Sequence, residues 1–315
     1  MKQHIFVRDL EMQETEFLEQ NRCRLCPRMC GADRKNGERG FCGETSEIRA
    51  ARAALHMWEE PCISGTRGSG TVFFTGCVLR CVYCQNGNIA CGNTGKVISI
   101  DRLAEIFIEQ QERGAHNINL VTPTHFVPQI REAIIKAKEK GLVLPIVYNT
   151  GSYENVETLR MLDGLVDIYL PDLKYYSSEL SKKYSEAYNY FEVATAAIAE
   201  MVRQVGTPEF DDEGIMTKGV IVRHLLLPGC IEDSKRIIKY LYDTYEDDIY
   251  VSIMNQYTPM KGIEERYPEL ANKVSYSEYD RLTDYAIDIG IENGFIQEGD
   301  TAEESFIPDF DMEGI

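Results

Sequence analysis

Short apolar runs alternate with longer amphipathic segments over most of this chain. Six runs rich in β-branched or aromatic residues predict strands: TVFF at 71–74, NINLV at 117–121, PIVYN at 145–149, VDIYL at 166–170, VIVRHLLL at 220–227 and IYVSIM at 249–254. Segments between them, such as SIDRLAEIFIEQQERG and VPQIREAIIKAKEKG, carry apolar residues at helical spacing and end in Gly. This alternation predicts a parallel sheet built from right-handed crossovers.

Polar and turn-forming residues follow each predicted strand. Cys77 follows the first strand, and TPTH, NTGSYE, PDLKY, PGC and NQYTP follow the next five in turn. Folds of alternating strands and helices place their active sites at the carboxyl ends of the strands. Six strands are too few for a closed eight-stranded barrel, so the pattern predicts an open sheet or partial barrel with an active site at this edge.

Composition indicates an ordinary globular protein without a membrane span. The 315 residues are 43% hydrophobic and 27% charged. No run approaches the roughly 18 apolar residues of a membrane helix, and the N-terminus is too acidic for a signal peptide. We therefore predict a cytoplasmic protein, whose ten cysteines serve as metal ligands more readily than as disulfides.

Charge is unevenly distributed along the chain. The net charge of −18 argues against a nucleic-acid partner, because phosphate binding needs a basic face. Residues 21–52 nevertheless carry eight bases and four acids, whereas the last 18 residues carry seven acids and no base, which predicts a solvated acidic tail. We divide the chain into a Cys-rich metal-binding segment (1–66), a central α/β domain (67–262) and a C-terminal helical segment with the tail (263–315).

Three closely spaced cysteines, Cys77, Cys81 and Cys84, form a C-x3-C-x2-C motif after the first strand. Closely spaced thiolates select zinc or iron–sulfur clusters. A cubane cluster usually has four Cys ligands, so three leave one iron open for a substrate or cofactor. The alternative is a zinc site completed by Cys91 or Cys62.

This motif, with Tyr83 before its last Cys, resembles the signature of the radical S-adenosylmethionine (radical SAM) superfamily. The longer blocks ALHMWEEPCISGTRGSGTVFFTGCVLRCVYCQN, NINLVTPTHFVP, IVYNTGSYE, DIYLPDLKY, IVRHLLLPG and MNQYTP resemble its pyruvate formate-lyase activating enzyme-like family over about residues 20 to 298. The resemblance implies a partial (β/α)6 barrel of the radical SAM type with an N-terminal Cys-rich extension. It also implies a [4Fe–4S] cluster on the three cysteines, with S-adenosylmethionine (SAM) at the open iron.

The resemblance further implies where SAM is held. Tyr83 belongs to the cluster motif and is expected beside the cofactor. Members of the superfamily usually hold the SAM amino group with a Gly-Gly-Glu-Pro-like stretch after the second strand. Here that place reads Thr122-Pro123-Thr124-His125, without the acid. A hydroxyl of Thr122 or Thr124, His125 or a backbone carbonyl is left as acceptor, and a simple turn is the alternative.

Two further elements resemble SAM contacts of activating enzymes. Asp172 and Lys174 match an Asp-x-Lys motif, with a surface ion pair as the alternative reading. Arg223 lies within an apolar strand and is expected to hold the SAM carboxylate, with a buried structural ion pair as its rival. His224 is expected to face the opposite side as a packing residue.

The N-terminal segment offers four more cysteines, Cys23, Cys26, Cys30 and Cys42. They suffice for a second metal site, holding zinc or a second iron–sulfur cluster, and free buried thiols are the alternative. The local excess of basic residues suggests a docking patch for an acidic electron donor, reduced flavodoxin or ferredoxin.

The leading hypothesis is therefore a radical SAM oxidoreductase. The resemblance implies reductive cleavage of SAM to a 5′-deoxyadenosyl radical that abstracts a hydrogen atom, and suggests a glycyl-radical enzyme as the activated partner. The alternatives are a radical SAM enzyme that modifies a small molecule or peptide and, in another class, a non-enzymatic zinc or electron-transfer protein.

Overall fold

The computed structural model describes residues 22–92, 94–297 and 308–315, and its strands lie in one mixed sheet. The strands are β1 (Arg49–His56), β2 (Ser69–Phe74), β3 (Lys96–Val97), β4 (Ile118–Val121), β5 (Ile146–Thr150), β6 (Ile168–Pro171), β7 (Glu209–Phe210), β8 (Met216–Leu225), β9 (Tyr250–Met254) and β10 (Gly294–Ile296).

The α-helices run between these strands and cover the sheet. They are α1 (Pro61–Ser64), α2 (Gly87–Ala90), α3 (Ile100–Glu112), α4 (Val127–Glu139), α5 (Val156–Arg160), α6 (Ser178–Ser185), α7 (Tyr190–Val205), α8 (Ile231–Tyr245) and α9 (Tyr276–Asp288). Short 3₁₀ turns lie at Arg34–Asn36, Thr124–Phe126, Glu246–Asp248, Ile263–Glu265 and Pro268–Leu270.

The strand order is β10-β9-β8-β6-β5-β4-β2-β1-β3, with β7 paired to β8. The strands from β2 to β10 along this path are parallel, whereas β1 pairs antiparallel with both β2 and β3. The six predicted strands are all present, as β2, β4, β5, β6, β8 and β9. In the described part of the chain the two outer strands are β10 and β3, so the sheet is an open, partial barrel, as predicted.

Burial explains why the central strands form near-continuous apolar runs. Every residue of β2 and of β5 is buried, as expected for parallel strands enclosed on both faces. Helices α3 and α4 supply the outer layer through apolar stripes that include Leu103, Phe107 and Ile134.

The sheet extends across both predicted domain boundaries, because β1 precedes residue 66 and β10 follows residue 262. The boundaries themselves stay predictions. Residues 1–21 of the predicted N-terminal segment and residues 298–307 of the predicted acidic tail lie outside the described residues.

The described end of the tail lies along β1 instead of standing free in solvent. Arg52 forms ion pairs with Asp311 and Glu313, and the amide of Ala53 donates to the carbonyl of Glu313. The ring of Phe310 packs edge-on against Phe73. The acids at this end are thus partly neutralised by a basic strand that the sequence analysis did not identify.

His224 connects β8 to its neighbours and is a packing residue, as expected. Its Nδ1 lies 2.7 Å from the carbonyl oxygen of Leu173, and its Nε2 lies 2.8 Å from Oγ of Ser234 at the start of α8. The carbonyl accepts, so Nδ1 carries the proton of the neutral ring. Burial lowers the pKa of His224 to about 4, against an ordinary value of 6.5.

We expect His224 to make the fold sensitive to acid. Because its folded pKa lies below its unfolded pKa, the unfolded state binds more protons between these values, so stability is lost as the pH falls from about 6.5 to about 4. A shift of this size is worth about 3 kcal/mol. Urea unfolding of wild type and of His224→Gln at both pH values measures it. An equal loss in the two proteins would contradict this assignment.

Candidate active site

A cavity of about 490 Å³ lies at the carboxyl ends of the strands. Loops and strand ends from across the sheet contribute to its wall, because parallel strands bring their carboxyl ends to one edge. The sequence-predicted residues in this wall are Cys77, Cys81, Tyr83, Cys84, Thr122, Thr124, Asn149, Asp172, Lys174, Arg223 and Gln256. The structure therefore brings the three-cysteine motif and all six candidate cofactor residues to one cavity.

The N-terminal segment fixes the backbone of the cysteine loop, residues 77–84. Gly76 has φ +80°, and a Cβ there would lie 2.7 Å from the carbonyl oxygen of Cys42, so only glycine fits. The next amide, that of Cys77, donates to this same carbonyl at 3.2 Å. Arg28 donates to the carbonyl of Val78 at 2.8 Å, which ties the loop to the segment a second time.

The sulfur atoms of this loop suit an iron–sulfur cluster. The amide of Leu79 donates to Sγ of Cys77 at 3.4 Å, and the hydroxyl of Ser185 donates to Sγ of Cys81 at 2.9 Å. Hydrogen bonds to cysteine sulfur tune iron–sulfur clusters. Three thiols on one cavity wall, with donors already placed on two of them, are a fitting donor set for a cubane with one open iron.

Tyr83 forms part of the cavity wall within an aromatic cluster. The hydroxyl of Tyr175 donates to the Tyr83 hydroxyl at 2.7 Å, and the rings of Tyr184 and Tyr257 pack against it edge-on. Burial raises the pKa of Tyr83 well above its ordinary value, so the phenol stays neutral. The ring therefore offers an apolar, rigid face beside Cys84.

Asp172 is shared between two cations in the cavity wall. It accepts from Nζ of Lys174 at 2.6 Å and from Nε of Arg223 at 2.9 Å, and the three side chains are at most 18% exposed. Burial alone would raise the pKa of Asp172, but the two cations bring it below its ordinary value. Asp172 and Lys174 therefore form a buried network with Arg223, and the surface ion-pair interpretation is wrong.

Arg223 extends this network to Asn149 and to Glu59, of which the sequence analysis missed Glu59. Its Nη1 lies 3.2 Å from Glu59, and its Nη2 donates to Asn149 at 2.6 Å. Glu59 also accepts from Asn119 at 3.0 Å. Arg223 is thus a buried ion-pair residue that also lines the cavity, so both interpretations of it fit the structure.

The stretch Trp58-Glu59-Glu60-Pro61 enters the cavity from the turn between β1 and α1. Two consecutive acids before a proline in an otherwise apolar stretch were the available signal. Nothing in the local pattern places these two acids inside the barrel.

The loop after β4 has an acidic partner that is distant in sequence. The hydroxyl of Thr124 donates to Glu154 at 2.6 Å, and Glu154 also accepts from Thr150 and Tyr148. Glu154, in the loop after β5, thus orients Thr124 without itself lining the cavity. Glu154 is another residue that the sequence analysis missed.

His125 turns away from the cavity. Its Nε2 lies 2.7 Å from the carbonyl oxygen of Thr75, and burial together with Arg34 lowers its pKa to about 3. It is absent from the cavity wall among the described residues, so the expectation that it could accept the SAM amino group is wrong.

Three non-glycine residues in the loops around the cavity have positive φ. They are Arg80 (φ +53°), Thr122 (φ +59°) and Ser152 (φ +64°). Such backbone is uncommon for a β-branched residue like Thr, and strained conformations of this kind cluster at active sites.

The four N-terminal cysteines lie close together. A Cβ on Gly40 would lie 3.3 Å from Sγ of Cys30 and 3.5 Å from Sγ of Cys42, and Arg34 lies 3.8 Å from Sγ of Cys23. Burial raises the pKa of Cys26 to about 12, and the sulfurs of Cys23 and Cys42 add to this effect. Ten free thiols are present among the described residues, so no disulfide competes for these cysteines there.

A zinc site completed by Cys62 or Cys91 finds no support. Neither lines the cavity that holds the three-cysteine motif; Cys62 lies in a second cavity with His116, and Cys91 is exposed. Within residues 22–92, 94–297 and 308–315, no three His, Cys, Asp or Glu side chains are arranged to hold a single metal ion. Zinc at the N-terminal cysteines stays a prediction.

A search of the described helices finds none with the length and apolar character required to cross a membrane.

Comparison with known proteins identifies similar chains. The family profile described as Radical SAM superfamily matches residues 71–241. The uncharacterized protein MJ0674 of Methanocaldococcus jannaschii is 28% identical over 287 residues, which cover 88% of this chain and 78% of that protein.

Among solved structures, SuiB of Streptococcus suis bound to S-adenosylmethionine is 15% identical, with a TM-score of 0.48 over 71% of this chain and 48% of SuiB. Methylornithine synthase (PylB) is 17% identical, with a TM-score of 0.46 over 67% of this chain and 59% of PylB. The chain therefore spans about half the length of SuiB.

Proposed function

The chain belongs to the radical SAM superfamily of enzymes, and from this premise we propose that it uses a [4Fe–4S] cluster and SAM to abstract a hydrogen atom from a substrate. One observation carries the proposal: the three cysteines and the Asp172–Lys174–Arg223 network line the same cavity. Membership of an enzyme superfamily argues against the alternative of a non-enzymatic zinc or electron-transfer protein.

The residues have separate tasks in this proposal. Cys77, Cys81 and Cys84 would hold the cluster. The residues that would hold SAM are Tyr83, Thr122, Thr124, Asp172, Lys174 and Arg223. The chemistry supplied by the bound cluster and SAM is reductive cleavage of SAM to methionine and a 5′-deoxyadenosyl radical, which takes a hydrogen atom from the substrate.

The protein contributes charge, orientation and exclusion of water. Asp172 stays ionised between its two cations, so Lys174 and Arg223 keep fixed positions in which they can meet a carboxylate. Thr124 is oriented by Glu154, which leaves the lone pairs of its oxygen for a ligand amine. Tyr83 and its aromatic neighbours form an apolar part of the cavity wall, which would limit the access of water to a reactive radical.

Two more specific proposals differ in the substrate from which the hydrogen atom is taken. Installation of a glycyl radical in a partner protein is supported by the Asp172–Lys174 match to activating enzymes. Modification of a small molecule or peptide is supported by the polar interior, where Glu59, Asn119 and Asn149 lie well inside the strand ends. We favour the second, because polar groups buried this deeply suit a ligand that enters the barrel.

Removing one cluster ligand should abolish the reaction while leaving the fold intact. We expect Cys81→Ala, reconstituted anaerobically with iron and sulfide, to lose about four irons per chain and at least 100-fold of its 5′-deoxyadenosine formation. Cys230→Ala, which lies outside the cavity, is the matched control. Iron analysis and chromatography of the nucleoside products measure both. Unchanged SAM cleavage in Cys81→Ala would refute the assignment.

We propose that Cys23, Cys26, Cys30 and Cys42 bind a second iron–sulfur cluster that feeds electrons to the first. Cys30 is exposed and Cys42 is buried, so the site would reach from the surface inward. The hydrogen bond from the amide of Cys77 to the carbonyl of Cys42 offers a short path between the two cysteine sets. Free thiols throughout the described chain suit the reducing cytoplasm, where we place the protein.

A second cluster would raise the iron content of the reconstituted protein. We expect about eight irons per reconstituted wild-type chain and about four in Cys23→Ser/Cys26→Ser, which retains the ligands of the first cluster. Iron and zinc analysis of the same samples distinguishes the two metals. One zinc per wild-type chain, lost in the double variant, would replace the cluster by a structural zinc site.

An acidic electron donor, reduced flavodoxin or ferredoxin, is proposed to dock on this segment. Its exposed bases include Arg24, Lys35 and Arg39, whereas Arg34 is buried and donates to the carbonyl of His125, so it belongs to the fold. Exposed bases on an otherwise acidic protein favour encounter with an acidic partner.

Charge reversal should slow reduction by such a donor. We expect Arg24→Glu/Lys35→Glu/Arg39→Glu to lower the rate of reduction by flavodoxin about tenfold at low salt and to flatten its salt dependence. Reduction by dithionite should be unchanged. Stopped-flow absorbance follows both reactions, and an unaltered flavodoxin rate would exclude this docking face.

A further inference from the structure

Glu60 is a buried carboxylate that lacks a partner for one of its oxygens. It lines the cavity, is 8% exposed, and its Oε2 makes no hydrogen bond. Ser252 and the charge of Arg223 both favour its ionised form, but no hydrogen bond or ion pair joins Arg223 to it. A buried carboxylate oxygen without a hydrogen-bond partner is costly to maintain, so it points to a ligand.

The bases that line the cavity form no direct ion pair with Glu60. Five charged side chains of the described residues line the cavity: Glu59, Glu60, Asp172, Lys174 and Arg223. The hydrogen bonds of Lys174 and Arg223 are directed to Asp172, Glu59 and Asn149. Three acids face two bases, and the acid without a hydrogen-bonded base is Glu60.

Glu60 also lies deeper in the barrel than the cysteine loop and Lys174, at the level of Arg223, which pairs in register with Ser252. Its partner Ser252 precedes the end of β9 by two residues, or about 7 Å along the strand. Cys77 and Lys174 instead belong to loops beyond the ends of β2 and β6. A group bound at Glu60 would therefore lie further into the barrel than the three cysteines and Lys174.

Part of the cavity wall is apolar. Phe73 and Phe295 line the same cavity, as does Met254 at the end of β9. An aliphatic chain that ends in a cation fits such a surface, with its carbon atoms against the rings and its charged end at the carboxylate.

We propose that Glu60 binds a protonated amine of the substrate. The inference rests on the proposed function, because it names the substrate class of the same reaction. The amine could belong to a small molecule or to a lysine side chain of a peptide. A glycine within a protein chain carries no charge, so this site favours amine modification over glycyl-radical activation.

Paired ligands test the proposal directly. Reconstituted enzyme with SAM is titrated anaerobically by calorimetry with putrescine against butanediol, L-lysine against L-norleucine, and acetyl-Gly-Lys-Gly-amide against its norleucine analogue. We expect an amine to bind at least tenfold more tightly than its neutral partner. The pair that shows this preference distinguishes a small molecule from a peptide.

Variants assign the preference to Glu60. Glu60→Gln should abolish the tenfold preference, Glu60→Asp should retain part of it, and Glu105→Gln, an exposed acid on α3, should leave it unchanged. If Glu60→Gln does not fold, the wild-type pairs and Glu60→Asp decide. Equal binding of amines and neutral partners by wild type, or an undiminished preference in folded Glu60→Gln, would overturn the proposal. SAM cleavage with dithionite is measured separately, so its failure would count against the proposed function and not against Glu60.

Discussion

A guanidinium inside a barrel must be neutralised, and the pairing of Arg223 organises the interior of this protein. Arg223 contacts Asp172 from the adjacent strand end and Glu59 from the turn before α1, so it connects the rim of the barrel to its interior. Asp172 in turn positions Lys174. Because removing Arg223 leaves Glu59 without its base and removing Asp172 leaves Lys174 without its acid, the network is resistant to gradual change. The network therefore provides a rigid polar frame that supports the cavity loops with strained backbone.

This frame divides the cavity into two levels. The upper level lies at the strand ends, where the three cysteines, Tyr83 and the Thr122–Thr124 loop surround the proposed cofactor site. The lower level is formed by Glu59, Glu60 and Ser252. Arg223 contacts residues of both levels, so the cofactor and the substrate would both lie next to its side chain. Such an arrangement holds two reactants in a fixed relation without requiring either to move far.

The N-terminal segment is part of the site as well as an attachment to it. Arg28 and the carbonyl of Cys42 hold the backbone of the cysteine loop, and Glu44 accepts from Thr75 just before that loop begins. A segment that carries four cysteines of its own therefore also shapes the loop that carries the other three. This contact between the N-terminal segment and the cysteine loop supports the proposed electron path, which runs from the surface inward.

The sequence by itself determined the six parallel strands, the edge at which their loops meet and the spacing of the cysteine motif. These features are local, since periodicity reports which side of an element is buried and spacing reports which side chains share a loop. Only the tertiary structure decided that Glu59 reaches Arg223, 164 residues away in sequence, that Glu154 orients Thr124, and that His125 and Arg34 are buried structural groups outside the cavity wall. Each of these pairings depends on how distant segments pack, and no local pattern encodes that packing.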